Sequence, residues 1–412
     1  MKTGDAAASG AMEAMRRFRL ADRVIEEASA DLPNALAKAY RHRVRPLCLC
    51  REPGLAMYIA QVGDQYIVKR MPLSGGEHDV ACPSYDPPDE LSGLGVLMGS
   101  AIQVDPESGL SALRVDFSLI KLGARTAPVV GAGGTDRVAG EARKLTMLSV
   151  LHYLWHQAEL TAWTSRWTGK RHWWNIRWHL LEAARQMTVK SGMLSEVLFV
   201  PEPFRTSDKA AIEQRRAVAL ARALPPMSGP RRLMILLGEV KDVRATRTGH
   251  RLIVKHMPDF PLMLDEGLHR RVQARYENEL ALWGADNASH LMVIATFGLS
   301  PAGLANVEEL GLMVVAENWV PYESAYEKKL IDALAKVNER SVKGLRYNLS
   351  VDKPMAAAVL QREPLPVAFY IVPPSADGDY EEALRDLILL RPEVDAWVWR
   401  PCEGEMPPVP SR

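Results

Sequence analysis

Residues 48–82 read CLCREPGLAMYIAQVGDQYIVKRMPLSGGEHDVAC, and three of the chain's four cysteines fall here: Cys48, Cys50 and Cys82. His78 stands four positions before the last of them. MYIAQV and QYIVKR are β-rich runs, and Gly63-Asp64 between them suits a tight turn, so the pattern predicts a hairpin. A hairpin of that length returns His78 and Cys82 to the neighbourhood of Cys48 and Cys50. Three thiolates and one imidazole are a common closed, tetrahedral zinc set. The single-residue gap between Cys48 and Cys50 departs from the two-residue gap commoner in zinc ribbons. The simpler alternative is three buried or free thiols beside a surface histidine. Clustering of nearly all the cysteine beside a histidine, in a chain this poor in Cys, favours zinc. A Cys48–Cys50 disulfide is disfavoured because its loop is too small and strained.

Outward from this stretch, the composition is that of an ordinary globular protein. The 412 residues are 47% hydrophobic and 25% charged, enough for two or three domains with real cores. A net charge of +1 gives no global field toward nucleic acid or membrane, so any such attraction must be local. The start, MKTGDAAASGAMEAM, meets acids and Arg pairs before any apolar core, unlike a secretory signal. No run of about 18 apolar residues occurs, so no spanning helix and no membrane partner are expected. The low cysteine count fits a reducing cytoplasm.

In chain order, residues 1–12 read as a frayed leader, and 13–42 as two packing helices, the second starting after Pro33. SYDPPDELSGLGVLMGSAI reads as an irregular loop, and ALRVDFSLIKL (112–122) as a strand. Residues 127–139 form a connection and a domain boundary. Their VGAGG lacks the Lys-Ser/Thr ending of a phosphate loop.

Residues 140–190 read as two helices, EARKLTMLSVLHYLWHQAEL and RHWWNIRWHLLEAARQMTV, joined by TAWTSRWTGK. Six of the ten tryptophans lie between Trp155 and Trp178. They alternate with Arg166, Lys170, Arg171, Arg177 and Arg185, against only Glu159 and Glu182. This is a basic, aromatic, helix–turn–helix-like unit. Lys170, Arg171, Arg177 and Arg166 are its candidate nucleic-acid contacts. The bland alternative is that the indoles fill a core and the arginines form a solvated face. His152 and His156, four apart on one helix, have metal-ligand spacing, but packing or exposure explains them without a partnered acid.

Further on, SDKAAIEQRRAVALARAL reads as a helix. RRLMILLGEVKDVRATRTGHRLIVKHMPD reads as a hairpin turning near Thr248-Gly249. Its Glu239-x-Lys241 has the form of a nuclease metal strand, without a suitable Asp on a neighbouring strand. Residues 266–283 read as a helix. SHLMVIATFGLS and GLMVVAENWVP read as strands, with a helix from Pro301 to Glu309 completing a βαβ-like unit.

Two resemblances follow. RPLCLC, MYIA, KRMP, the His-x-x-x-Cys pair, SYDPPDELSGLGVLMGSAI, LHYLWHQAELTAW, GKRHWWNIRWHLLEAA, VPEPF, LGEVK, KHMPDFPLMLDE and KGLRYNL resemble family 1173 of the domains of unknown function, over nearly the whole chain. The resemblance implies a bacterial mobile-element protein, of integrating conjugative elements and plasmids, and no particular activity. From Trp319 on, the order of elements resembles the restriction-endonuclease-like core. There, a helix carrying Glu precedes a small mixed sheet. That resemblance implies an Asp opening the second strand and an acid and Lys two apart on the third, a Mg²⁺ cage. Met355, Ala356 and Ala357, and then Tyr370 and Val372, stand where those acids would fall; Glu327 alone survives as a remnant.

The expectation is therefore an α/β (α+β) multidomain protein. It has N-terminal helices with a zinc-knuckle region (1–126), a Trp-rich helical domain (140–228) and a degenerate nuclease-like domain (229–412). Cys48, Cys50, His78 and Cys82 are the zinc ligands, and no catalytic residue is assigned. The expected role is non-catalytic DNA binding, with other mobile-element proteins as possible partners. Two readings compete: an active Mg²⁺ nuclease using Glu239 with Asp259 or Asp265, and a protein–protein scaffold without nucleic-acid affinity.

Overall fold

The computed structural model describes residues 16–62, 65–71, 74–105, 108–121 and 144–410. The expected leader, the Gly63-Asp64 turn and the 127–139 connection lie outside the described residues. The chain forms two compact units, dividing between Pro87 and Pro88. No helix among the described residues is long and apolar enough to cross a membrane.

The first unit is a five-stranded sheet with one helix. β1 (Arg17–Leu20) and β2 (Arg23–Glu26) form a tight hairpin, α1 spans Leu32–Arg41, and β3 (Leu47–Cys48), β4 (Leu55–Val62) and β5 (Gln65–Arg70) follow. The sheet order is β2-β1-β3-β4-β5. The first of the two helices expected over 13–42, MEAMRRFRLADRVIEEA, is therefore corrected, in its described part, to a hairpin. Phe18 and Leu20 alternate with Arg17 and Arg19, and Phe18 faces Ile25 across the strands. That is a period of two, and Ala21 takes a left-handed φ of 53° to turn the chain. The second expected helix is present as α1, which buries Leu36 and Ala39. The β4–β5 hairpin is as expected.

The second unit is mixed α/β. β6 (Ile102–Val104) and β7 (Ser111–Leu113) make a small sheet; α2 is Met147–Gln157, β8 is Ala162–Trp163, and α3 is Trp173–Ala184, followed by β9 (Met187–Val189), which joins β7. The 112–122 strand is thus cut short after Leu113. α2 and α3 are joined by residues 158–172, which include a strand and a 3₁₀ turn. A helix–turn–helix needs a turn of three or four residues, so that expectation is not met.

At the centre stands a closed barrel. Its strands are β10 (Met234–Thr246), β11 (Gly249–Val254) and β12 (Leu262–Leu264), then β13 (His290–Leu299) and β14 (Ala305–Val315), with α4 (Glu266–Arg275) and α5 (Glu277–Ala285) between β12 and β13. β10 pairs β11, β11 pairs β12, β12 runs parallel to β14, β14 pairs β13, and β13 returns to β10. This order, with helix between the third and fourth strands, is the connectivity of the OB-fold. β10 serves two barrel partners because it bends, and its Ile235 and Leu236 also pair in parallel with Leu198 and Phe199. Met234–Glu239 pairs β13, and after a bulge at Lys241 the rest pairs β11. Gly249 closes the β10–β11 turn at a φ of 143°, where an added Cβ would stand 2.3 Å from the Leu264 carbonyl oxygen. Leu236, Val240, Leu252, Leu262, Val293 and Leu312 fill the interior. The expected helix at Pro301–Glu309 is corrected to a turn at Ser300–Gly303 leading into β14. The Ser300 N–H and the Leu304 carbonyl close that turn, and antiparallel pairing with β13 then wins.

The C-terminal sheet has the order β18-β17-β16-β15-β8. α6 (Ala325–Leu334) precedes β15 (Ser341–Lys343), β16 (Ala358–Leu360) and β17 (Val367–Ile371); α7 (Gly378–Leu389) then crosses to β18 (Asp395–Trp399), parallel to β17. Because β8 pairs β15, the segments 140–228 and 229–412 share a sheet rather than forming separate domains. The tail folds back on this sheet. Trp397 Nε1 donates to the Pro408 carbonyl and Trp399 Nε1 to that of Gly404, while Met406 and Val409 pack against the core.

Candidate metal centre

The sheet of the first unit positions its sulfurs. Cys48 ends β3, whose backbone is held on one side by β1 and on the other by β4. Leu49 and Cys50 follow in a turn, and Cys50 Sγ reaches the same group through His78 Nδ1. After β5, the 3₁₀ turn Gly75–Glu77 delivers His78, and a second turn, Cys82 N–H to the Asp79 carbonyl, delivers Cys82. The Arg70–Asp86 ion pair, at 2.9 Å, ties the end of this loop back to β5.

The four side chains meet. Cys48 Sγ lies 3.8 Å from Cys82 Sγ, Cys50 Sγ lies 3.3 Å from His78 Nδ1, and Cys82 Sγ lies 3.7 Å from His78 Nδ1. All four ligand atoms lie within 4.8 Å of one another. Bonds of about 2.3 Å to sulfur and about 2.0 Å to nitrogen place S···S near 3.8 Å and S···N near 3.5 Å across a tetrahedron. The arrangement is therefore compatible with zinc. Cys48, Cys82 and His78 are buried, His78 completely, and Cys50 is half-buried. Phe18, Leu36, Met57 and Val68 pack in the same cluster as Cys48 and Cys82.

Electrostatics point the same way. The Cys48 thiol donating to Cys82 holds the Cys82 thiol down, to about 4, with help from His78 and the Ser84 N–H against the cost of burial. Cys48 is driven up by that same hydrogen bond and by burial, and burial pushes Cys50 up. Without a cation the site thus ionises one sulfur at the expense of its neighbours. A divalent metal reverses that, since it binds thiolates and releases their protons. His78 Nε2 is buried without a hydrogen-bond partner. Its Nδ1, not its Nε2, faces the sulfurs.

Among the described residues this is the one group of three or more His, Cys, Asp or Glu side chains placed to hold a metal. Glu239, Asp259 and Asp265 are not brought together. Glu239 is buried and bound by Lys255 Nζ at 2.8 Å and His290 Nδ1 at 2.7 Å. Asp259 pairs with Arg216, and Asp265 caps α4 by accepting from the Leu268 N–H. Lys241 occupies the bulge and is exposed. His152 is a core residue. It accepts from the Tyr347 N–H at 3.1 Å, and burial pushes its imidazole down to about 4.

Of the expected nucleic-acid contacts, Arg171 is buried, which corrects its placement on a surface, and Arg177 is half-buried. Arg171 is 8% exposed and donates to the carbonyls of Leu160, Asn318 and Ala162, with its charge over the rings of Trp163 and Trp167. Arg177 donates to the Val200 carbonyl at 3.0 Å and is half-buried. Arg166 and Lys170 are exposed. Of the indoles, Trp155, Trp163 and Trp173 are core, while Trp174 is 60% exposed.

At the nuclease-type positions, Met355, Ala356, Ala357, Tyr370 and Val372 are all buried, and none carries a carboxylate. Glu327 sits in the first turn of α6, capped by Ser324. Its carboxylate accepts from the Glu323 N–H at 2.7 Å and pairs with Lys343 Nζ at 3.2 Å. Burial pushes Glu327 up, against the pull of Lys343. Burial also opposes ionisation of Glu323, but Lys343 and Arg346 outweigh it and hold that carboxyl down. Lys343, Glu323 and Arg346 were not singled out from sequence. Nothing in KGLRYNL marks its lysine as buried, and only the adjacent capping box, Ser324 to Glu327, was a readable signal.

The chain belongs to the family described as "Protein of unknown function (DUF1173)", which it matches over residues 18–402. No curated protein and no solved structure matches it.

Proposed function

We propose that this is a non-catalytic, DNA-associated accessory protein of a bacterial mobile element, its N-terminal unit held by a structural zinc ion on Cys48, Cys50, His78 and Cys82. The observation that carries the zinc reading is the closed set of four mutually facing, mostly buried ligand atoms. Four protein ligands leave no open position for substrate, which is the mark of a structural rather than a catalytic site. Zinc there would fix the ends of β3 and of the post-β5 loop in one place. Metal analysis of protein purified without chelator should find one zinc per chain. Protein that folds with none overturns this part.

The non-catalytic reading is supported by the C-terminal sheet. Its helix–three strands–helix–strand order suits a nuclease-like scaffold, while none of the strand positions for a metal acid carries a carboxylate and Glu327 alone remains. No Mg²⁺-dependent cleavage of supercoiled or linear DNA is expected. Reproducible cleavage that disappears in Glu327→Ala would overturn it. The DNA reading is supported by the barrel, since OB barrels receive oligonucleotides on one strand face. Its test is salt-dependent binding of a fluorescent oligonucleotide, with no shift even at low salt as the contrary result.

A further inference from the structure

The β10–β11 hairpin concentrates charge that the rest of the chain lacks. Residues 241–255, KDVRATRTGHRLIVK, carry five Lys or Arg side chains against one acid, in a chain whose net charge is +1. Lys241, Arg244, Arg247, Arg251 and Lys255 are all exposed. Register puts Arg244 directly opposite Arg251. Leu252 and Val254 face the barrel core, so Arg251 and Ile253, alternating with them, face outward. Met263 follows Arg251 on β12.

Like charges directly opposite across a strand pair destabilise the pair. Asp242 relieves Arg244, at 2.6 Å, but Arg251 has no ion pair to a described residue. The fold therefore tolerates an exposed arginine pair that does nothing for its own stability. A polyanion laid across the pair removes the repulsion. On a duplex the base faces are stacked away. On a single strand they are available, and half-buried Ile253, two residues along from Arg251, and Met263, beside Arg251 on β12, offer apolar surface to them.

We infer that the outer face of β10–β12, with the Thr246–Gly249 turn, binds single-stranded DNA, its phosphates held by Arg244, Arg247 and Arg251. This rests on the DNA reading above and moves the contact from α3 to the barrel. The bulge at Lys241 bends β10 and so curves this face, which suits a strand better than a rigid duplex.

The test uses the full-length, zinc-loaded protein and fluorescein-labelled dT20, followed by anisotropy across a salt series. Wild type should bind, with an equal-length duplex at least about tenfold weaker. Arg244→Ala/Arg247→Ala/Arg251→Ala should weaken dT20 binding by about tenfold or more at low salt. It should also lower the salt slope by about two, near 0.7 per lost contact. Replacing the same three by Lys should restore most of the slope, which separates charge from folding damage. Arg166→Ala/Lys170→Ala should leave affinity within about twofold. If wild type binds no oligonucleotide, the DNA reading itself fails. If it binds and the triple alanine variant is unchanged, only this placement fails. Equal or better duplex binding, or a clear preference for rU20, overturns the assignment to single-stranded DNA.

Discussion

Each unit of this chain buries a dense polar cluster, around Cys82 in the first and around Glu327 in the second, and these two meet the cost of burial in different ways. Around Glu327 the counter-charge is built in. Lys343, its side chain 1% exposed, faces the carboxylate, and Arg346 faces Glu323. Around Cys82 the chain brings together three sulfurs and an imidazole, electron-rich groups that could hold a metal ion. A carboxylate–ammonium cluster needs nothing from solution. A thiolate–imidazole cluster is complete only with an imported ion. The contrast teaches that a buried acid is not by itself a sign of a metal site: what matters is whether a lysine or arginine already occupies the cation's place.

The largest effect should come from taking the imported ion away. Structural zinc contributes on the order of 10 kcal/mol of apparent binding free energy, as much as the whole stability of a typical domain. A strong chelator, or Cys82→Ser, is expected to abolish amide-exchange protection across β1–β5. All ten tryptophans lie at Trp155 or beyond, so intrinsic fluorescence reports only the second unit and should stay unchanged. Protection that survives metal removal would erase the contrast between the clusters.

Next in size is loss of the built-in cation. Lys343→Ala strands Glu327 in a buried site and should cost about 3–5 kcal/mol, read by urea unfolding followed through tryptophan emission. Lys343→Met with Glu327→Leu removes both charges and should cost much less. If the double change is as damaging as the single one, packing rather than charge decides the site.

A pH effect follows from His152, which neighbours this ionic cluster. Burial holds its folded value near 4, below the ordinary 6.5, so the unfolded chain binds the extra proton first. Stability is then fully present above about pH 6.5 and falls as pH drops toward about 4, by about 3 kcal/mol in all. His152→Gln should flatten that part of the profile, measured by urea unfolding between pH 4 and 7. A profile as steep as wild type assigns the slope to other groups.

The smallest effect should be at the cap. Ser324→Ala loses the hydrogen bond to the Glu327 N–H and should cost about 1 kcal/mol. A much larger cost would mean that the cap also orients the Glu327 carboxylate.

What could be read in advance depended on how local the signal was. The Cys48–Cys82 cluster was legible because four rare side chains flank a single hairpin, and the chain between them could only be short and extended. β10–β11 were legible for the same reason, alternation and turn residues within one segment; β13 was legible as an unbroken apolar run, and β14 only from Gly311 on, since Pro301–Glu309 read as a helix. The β1–β2 hairpin was missed because Met15, Phe18, Leu20 and Val24 offer a loose helical spacing over so few residues, and a left-handed alanine is no turn signal. Barrel closure was not legible, since it depends on β12 lying parallel to β14, a pairing across more than forty residues. The burial of Arg171 was hidden too. A guanidinium that serves three carbonyls looks, in sequence, the same as one that faces solvent.

The returning tail has a further consequence, for association. β18 is the last strand of its sheet, and a bare edge is a template on which another chain can add a strand. The barrel escapes this hazard by closing on itself; β18 relies on the residues that follow it. Two indole N–H groups fasten those residues to the sheet through Gly404 and Pro408, and the stretch MPPVP brings three prolines that lack an N–H to donate. Residues 404–409 thus cover one face of this edge strand, and a chain ending at Arg400, which bares the Trp397 and Trp399 rings, is expected to self-associate more readily than the 412-residue chain, read by size-exclusion chromatography.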